Sequence, residues 1–176
     1  MSIQDEINAH LSNGRLVRLT QSFPGLMERR RIYAPNEIAM LLKGPWSDPV
    51  WERRWGRAVQ QLDEFIDGLY SDPRITVRSA PRKKSTCFMS RLDPEPDEVW
   101  EIRCRDPKPG LRIFGSFVGK DEFVALLALP HECLRNDQDW DALIVRYKGE
   151  WNRHFTTQPF SGAYPHDYIS NAVVFD

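Results

Sequence analysis

The chain concentrates basic residues in one stretch whose chemistry suits phosphate binding. Between residues 74 and 92 there is no acidic residue, and the cations there are Arg74, Arg78, Arg82, Lys83, Lys84 and Arg91. Because the net charge of the chain is −1, the remaining residues are acidic on balance. A local positive surface attracts phosphate, and phosphate contacts supply much of the affinity of proteins for nucleic acid. The alternative is a solvated loop, since the pI of about 6.4 lacks the basic character typical of nucleic-acid-binding domains.

Three cysteines and the absence of known ligand spacings exclude several other chemistries. Cys87, Cys104 and Cys133 are far apart and odd in number, which argues against a disulfide framework. Cys133 lies beside His131 and Glu132, but adjacency in sequence does not establish a nucleophile or a metal site. No glycine-rich nucleotide loop or serine-hydrolase motif is present. We therefore expect no metal and no cofactor.

The amino terminus and the hydropathy pattern predict a cytoplasmic protein. No basic region followed by an apolar run appears after Met1, so no signal peptide is expected. No stretch approaches the roughly 18 consecutive apolar residues that a membrane span needs. Hydrophobic residues make up 41% and charged residues 28% of the 176 residues, which is typical of one globular domain.

The first 45 residues predict short elements. Ser2 with Asp5 three residues later is typical of a capped helix, which would end at Asn13-Gly14. Residues 16–20 are predicted to form a short strand, and a second short helix is expected to follow Asn36 and to stop at Gly44-Pro45.

A long helix is predicted over residues 49–70. Asp48 is a good N-cap, and Pro49 suits the first helical position, where its missing N–H costs nothing. Apolar residues then recur at helical spacing and form one stripe, namely Trp51, Trp55, Val59, Leu62, Phe65, Ile66 and Leu69.

Three strand-like runs follow a poorly patterned segment that holds at most a short strand near residues 86–89. They cover residues 99–105, 111–118 and 122–129, and the turns between them are short. Such runs predict an antiparallel meander, and the nearly continuous apolar character of the last run is typical of a strand buried on both faces.

A last helix is expected over residues 139–155, with Asp139 as its cap, and the tail 156–176 has no regular period. The predicted fold is a single α+β domain: an antiparallel sheet packed on one side by helices 49–70 and 139–155. It divides into an N-terminal helical extension (1–45), a core (46–155) and a tail (156–176). The core should include Trp55, Leu62, Phe65, Ile113, Val124, Leu126, Leu143 and Trp151. The tryptophans of both helices, Trp51, Trp55, Trp140 and Trp151, are interpreted as core side chains and not as surfaces on which bases stack.

Residues 49–155 resemble the RelE/HigB toxins, which cleave messenger RNA. The order of elements is similar: a long amphipathic helix, an Asp-Pro-Arg stretch, a basic loop and three antiparallel strands. The similar segments read Leu-Tyr-Ser-Asp-Pro-Arg at 69–74, Val-Trp-Glu-Ile-Arg at 99–103, Leu-Arg-Ile-Phe at 111–114, and an apolar run with Pro-His-Glu at 126–132. The resemblance implies a metal-independent endoribonuclease that acts at the ribosome and is neutralised by an antitoxin.

The resemblance also assigns roles to individual residues. Arg112 matches a strand arginine that contacts phosphate, Arg103 matches a basic strand residue before the hairpin, and His131 occupies a position where a proton-transferring group is common. These three are the candidate catalytic residues. The candidate RNA-binding residues are Arg74, Arg82, Lys83, Lys84 and Arg91. Arg112 is interpreted as a strand-surface residue that stabilises phosphate charge rather than the core.

Two departures from the family pattern leave an alternative open. Glu101 replaces a basic residue on the strand face of Arg103, and Arg135 is the only basic residue soon after the last strand. A purely structural interpretation is also open: Arg112 would form a salt bridge with Glu101 or Glu122, and His131 would be a loop residue. The alternative function is a non-catalytic phage or mobile-element module on the same fold that binds a protein through the aromatic tail around Phe160, Tyr164 and Tyr168.

Overall fold

The computed structural model describes residues 1–23, 25, 27–67, 75–78 and 86–175. The described helices are α1 (Ile3–Ser12), α2 (Asn36–Lys43), α3 (Pro49–Asp67), α4 (Asp137–His154) and α5 (Pro165–Tyr168). The described strands are β1 (Leu16–Leu19), β2 (Arg31–Pro35), β3 (Thr76–Arg78), β4 (Met89–Arg91), β5 (Trp100–Cys104), β6 (Leu111–Gly119), β7 (Glu122–Pro130) and β8 (Val173–Phe175). Short 3-10 turns cover Glu95–Asp97 and His131–Cys133.

Local capping explains where the helices begin. At α1 the predicted capping box is confirmed: the Asp5 amide donates to the Ser2 hydroxyl, and the Ser2 amide donates to the Asp5 carboxylate at 2.9 Å. Helix α3 begins at Pro49 as predicted, and the predicted last turn, 68–70, lies outside the described residues. The predicted cap of α4 is wrong. Asn136 caps it by accepting from the Asp139 amide at 3.0 Å, and α4 begins at Asp137.

The sheet has the strand order β1-β2-β7-β6-β5-β4-β3-β8 and is mixed. The predicted antiparallel meander is confirmed for β5, β6 and β7. Three pairings are parallel, however: β2 with β7, and β3 with both β4 and β8. The first 45 residues are more than a helical extension, since β1 and β2 belong to the sheet.

Helices cover both faces of the sheet, so the prediction that both long helices pack on one side is wrong. Helices α2 and α3 pack on the face of Ile113 and Phe117, whereas α1 and α4 pack on the face of Phe114 and Val118. The reason lies in β6 and β7, which present apolar side chains on both faces of the sheet. A strand of this kind needs apolar cover on each side.

The predicted core is confirmed, because all eight residues named for it are buried. The tail is also part of the structure. Tyr168 is 1% exposed and its ring contacts those of Trp100 and Phe117, which leaves Tyr164 as the exposed one of the three tail aromatics named for partner binding. Within the described ranges, no helix has the length and apolar content needed to cross a lipid bilayer.

A buried hydroxyl chain joins α4 to the sheet and supports a stability prediction. The Tyr147 hydroxyl donates to the Ser116 hydroxyl at 2.8 Å, which in turn donates to the Glu98 carbonyl at 2.6 Å. We expect Tyr147→Phe to lower the free energy of unfolding by about 1–2 kcal/mol, because it removes a buried donor. Urea denaturation measures this loss, with Tyr164→Phe as the exposed control. An unchanged midpoint for Tyr147→Phe would contradict the role of the chain of hydroxyls.

Candidate functional site

A cluster of charged side chains lies on the α4 side of the sheet. Side chains alternate along β5, so Trp100, Ile102 and Cys104 belong to the α3 side, while Glu101 and Arg103 take the opposite side. In the β5–β6 pairing, Arg103 lies directly opposite Arg112. We call Glu101, Arg103, Arg112 and His131 the arginine cluster.

Glu101 holds the two arginines together. Its Oε2 lies 3.2 Å from Nε of Arg112, its Oε1 lies 3.3 Å from Nε of Arg103, and Oε1 also accepts a hydrogen bond from the Ser90 hydroxyl at 2.9 Å. Like charges at directly opposed positions of an antiparallel pair repel each other. The single carboxylate therefore makes the close approach of two guanidinium groups possible.

Glu101 and Arg112 are the members of the cluster that are removed from water, whereas Arg103 and His131 are half-buried. Glu101 is 3% and Arg112 is 5% exposed, so the interpretation of Arg112 as a strand-surface residue is wrong. Of the two partners considered for Arg112, Glu101 forms the ion pair, whereas Glu122 pairs with Arg31 at 2.6 Å. Burial lowers the pKa of Arg112, and the charge of Glu101 opposes that shift. The guanidinium nevertheless stays protonated, because an arginine begins from a pKa so far above neutrality.

His131 directly follows the end of β7, and the charges of Arg112, Glu101 and Arg103 all act on its pKa. Its amide donates to the Gly110 carbonyl at 3.0 Å, and the adjacent Glu132 is held by Arg54 of α3 at 2.8 Å. Burial lowers the pKa of His131, and the positive charges of Arg112 and Arg103 lower it further, against the opposing effect of Glu101. The imidazole is therefore neutral at pH 7 and able to accept a proton.

An open groove of about 780 Å³ borders the cluster. Its floor is formed by Glu101 and Arg103 of β5 and by Arg78 of β3, which occupies the register position next to Ser90. Its wall is one side of α4, formed by Asp137, Trp140, Asp141 and Ile144, and Leu92 and Asp93 complete the lining. The volume is within the roughly 300–1,000 Å³ typical of ligand pockets.

Arg91 is the predicted RNA-binding residue that the structure describes, and it does not join this cluster. Arg91 follows Ser90 in β4 and takes the opposite face, where it lies 3.5 Å from Glu98 and its guanidinium lies over the Trp100 ring. The remaining four predictions lie outside the described residues, and they are Arg74, Arg82, Lys83 and Lys84.

Two residues of the site were missed as functional by the sequence interpretation. Glu101 was considered only as a departure from the pattern of the RelE/HigB toxins, although strand alternation placed it on the same face as Arg103. Arg78 counted only as part of the basic stretch, because a three-residue strand in a poorly patterned segment carries no recognisable period.

Cysteine and metal chemistry gain no structural support in the part of the chain that is described. Cys133 is exposed, and burial raises the pKa of the Cys104 thiol to about 12, which keeps it protonated. No three His, Cys, Asp or Glu side chains among the described residues lie close enough to hold a metal ion.

Comparison with known proteins found no match to a protein-family model, to a curated protein or to a solved structure. The resemblance to the RelE/HigB toxins stays a prediction that rests on the residues quoted for it.

Proposed function

We propose that the protein is a metal-independent endoribonuclease of the RelE/HigB type that cleaves messenger RNA at the ribosome and is neutralised by an antitoxin. The observation that carries the proposal is the pairing of Arg103 and Arg112 with one carboxylate, Glu101, at an open groove that Glu101 and Arg103 line. His131 lies close enough for the charges of these groups to act on its imidazole. These groups come from two strands and one turn.

The cluster has the groups that RNA cleavage by internal attack requires. Neutral His131 takes the proton of the ribose 2′-hydroxyl, whose oxygen attacks the adjacent phosphorus. The bond from phosphorus to the 5′-oxygen breaks, a 2′,3′-cyclic phosphate forms, and the leaving oxygen takes a proton from water in the groove.

The arginines stabilise the charge that builds up on the phosphorane. Arg103 lines the groove and is the direct phosphate ligand, because a guanidinium donates two parallel hydrogen bonds to phosphate oxygens. Arg112 lies more deeply and adds positive charge in a site with little water, where such charge has its largest effect. Glu101 orients both guanidinium groups, so its presence in place of a basic residue is compatible with phosphate binding.

Cleavage of a defined messenger RNA by the purified protein, measured with and without ribosomes, tests the proposal. We expect Arg103→Gln to lower the cleavage rate by about 10²–10³-fold, as for removal of one preorganised charge-stabilising donor. Any cleavage that occurs without ribosomes should persist in EDTA. Arg31→Gln is the matched control, because Arg31 is also a strand arginine paired with a glutamate. Folded wild-type protein that neither cleaves RNA nor arrests growth in a host lacking an antitoxin would contradict the proposal.

A second candidate function is a non-catalytic protein-binding module. The observation that favours it is a cleft of about 360 Å³ between the edge strand β1 and helices α2 and α3. Its lining combines apolar side chains, among them Val17, Leu19, Leu42, Trp46, Val59 and Leu62, with the charged Arg18, Lys43 and Asp63. If the wild-type protein does not act on RNA, this cleft should bind a protein partner. Val59→Asp should then abolish binding of that partner, whereas Val145→Asp, at an exposed valine, is the control that should still bind it.

A further inference from the structure

The groove beside the arginine cluster has an acidic and aromatic wall that the proposed cleavage chemistry does not use. Asp137, Trp140, Asp141 and Ile144 recur at helical spacing on α4 and line the groove opposite the sheet. Asp139, between them, is occupied in capping, since its carboxylate accepts from the Arg135 amide at 2.8 Å.

The two wall carboxylates are available to a ligand. Asp137 and Asp141 are exposed, and neither forms an ion pair or a side-chain hydrogen bond with any residue that the structure describes. Anionic oxygens therefore face a floor that carries Arg78 and Arg103, across a space wide enough for a small molecule. A ligand that fits must present a negative group to the floor and hydrogen-bond donors to the wall.

Trp140 indicates that the ligand should also carry an aromatic ring. The Trp140 ring packs edge-on against Phe114, with the centroids 6.2 Å apart. Trp140 is only half-buried and its indole also lines the groove, so the interpretation of this tryptophan as purely a core side chain is wrong. An aromatic side chain beside arginines is the arrangement with which proteins hold a base and its phosphate, because each base has a face that stacks.

Among the four RNA bases, guanine matches these requirements. Its Watson–Crick edge carries two adjacent donors, the ring N1–H and the exocyclic amino group, which meet both oxygens of one carboxylate. Adenine and cytosine place an acceptor beside their amino group, and the N–H of uracil lies between two carbonyl oxygens. A carboxylate accepts hydrogen bonds only and leaves such acceptors unsatisfied.

We infer that the groove is a guanine-selective nucleotide site, with the phosphate on Arg78 and Arg103, the base against Trp140, and the guanine edge on Asp141. Asp141 is assigned this contact because it lies in the middle of the wall, directly after Trp140 and one turn before Ile144. The inference rests on the proposed function in that it names the nucleotide of the RNA that the same site would hold.

Equilibrium binding of the four nucleoside monophosphates to the full chain tests the inference without cleavage. By calorimetry we expect GMP to bind about tenfold or more tightly than AMP, CMP and UMP, because one charge-assisted hydrogen bond discriminates by at least this factor. Inosine monophosphate lacks the amino group of guanine and should bind between GMP and the rest.

Two variants separate recognition of the edge from a structural effect. Asp141→Asn should remove the preference for GMP and leave the binding of the other three nucleotides unchanged. Trp140→Ala should weaken all four by a similar factor of about ten, because stacking does not depend on the base. Glu52→Gln, an exposed acid of α3, is the control that should change neither.

The outcomes for the inference and for the proposed function are distinct. Equal affinity for all four nucleotides, or an Asp141→Asn variant that weakens all four alike, overturns the guanine site even if the protein cleaves RNA. A preference for GMP that Asp141→Asn abolishes supports the site even if the protein fails to cleave RNA, in which case the proposed function alone is overturned.

Discussion

Replacing Glu101 with alanine is expected to destabilise the protein by about 3–5 kcal/mol, as for other buried ion pairs that lose one partner. The carboxylate is buried and lies between Arg103 and Arg112. Its removal therefore leaves two guanidinium groups at directly opposed strand positions without the negative charge that balances them. Urea denaturation followed by circular dichroism gives the change in the free energy of unfolding. The control is Glu150→Ala, which breaks a surface pair between a half-buried glutamate and the exposed Arg153 and should cost about 0–1 kcal/mol.

A double variant tests whether the cost of Glu101→Ala comes from the charge left behind. When Glu101→Leu is combined with Arg112→Met, the loss should be clearly smaller than the sum of the two single losses, because no lone charge of that pair stays buried. Additive losses, or a loss below about 1 kcal/mol for Glu101→Ala, would contradict the view that this carboxylate balances the cluster.

The structure changes how arginine variants must be interpreted. Because Arg112 is buried and paired, Arg112→Ala is expected to damage the fold as well as the chemistry, and loss of activity in that variant does not identify a catalytic role. Arg103 is the better probe of phosphate contact, since it borders the open groove.

His131→Ala is expected to slow RNA cleavage by about 10²–10⁴-fold, the usual contribution of one proton-transfer group. Single-turnover cleavage of a defined RNA measures this rate. The matched control is His166→Ala, an exposed histidine on α5, which should cleave at the wild-type rate. A His131→Ala variant within about threefold of wild type would exclude this imidazole as the base, since its expected contribution is far larger.

The pH dependence of cleavage gives a second readout of His131. Only the neutral imidazole accepts the proton, so the rate should fall as the pH drops through the pKa of His131. Burial and the charge of Arg112 lower that pKa from its ordinary value of 6.5, and the fall should therefore occur below pH 6.5. Arg103→Gln removes a charge that lowers this pKa, so the fall should move to higher pH. A profile that does not respond to Arg103→Gln would contradict the electrostatic coupling.

Local chemistry was enough to predict the helices and the central strands. The capping box at Ser2, the Asp48-Pro49 start of α3, and the strand-like runs with short turns in residues 99–129 are local signals that act over a few residues. The structure has α1, α3 and the β5–β7 meander where those signals placed them. The buried core followed for the same reason, since apolar periodicity identifies the face that must leave water.

Pairings between distant segments were decided only by the tertiary structure. Strands β3 and β8 have three residues each, and β3 joins the sheet by pairing with a segment almost 100 residues later in the chain. Strand β2 enters beside β7 in parallel, which no local pattern indicates. Whether the two long helices share a face was equally beyond a local pattern, because each helix reports only that it has an apolar side.

The candidate site shows the same division at the level of single residues. The sequence by itself determined that Arg103 and Glu101 share one face of β5, because side chains alternate along a strand. Only the folded chain decided that Arg112 lies opposite Arg103 and is buried, that Glu101 joins them, and that α4 covers this face of the sheet. Burial and ion pairing depend on which segments meet in space, and that depends on the register of strands far apart in the chain.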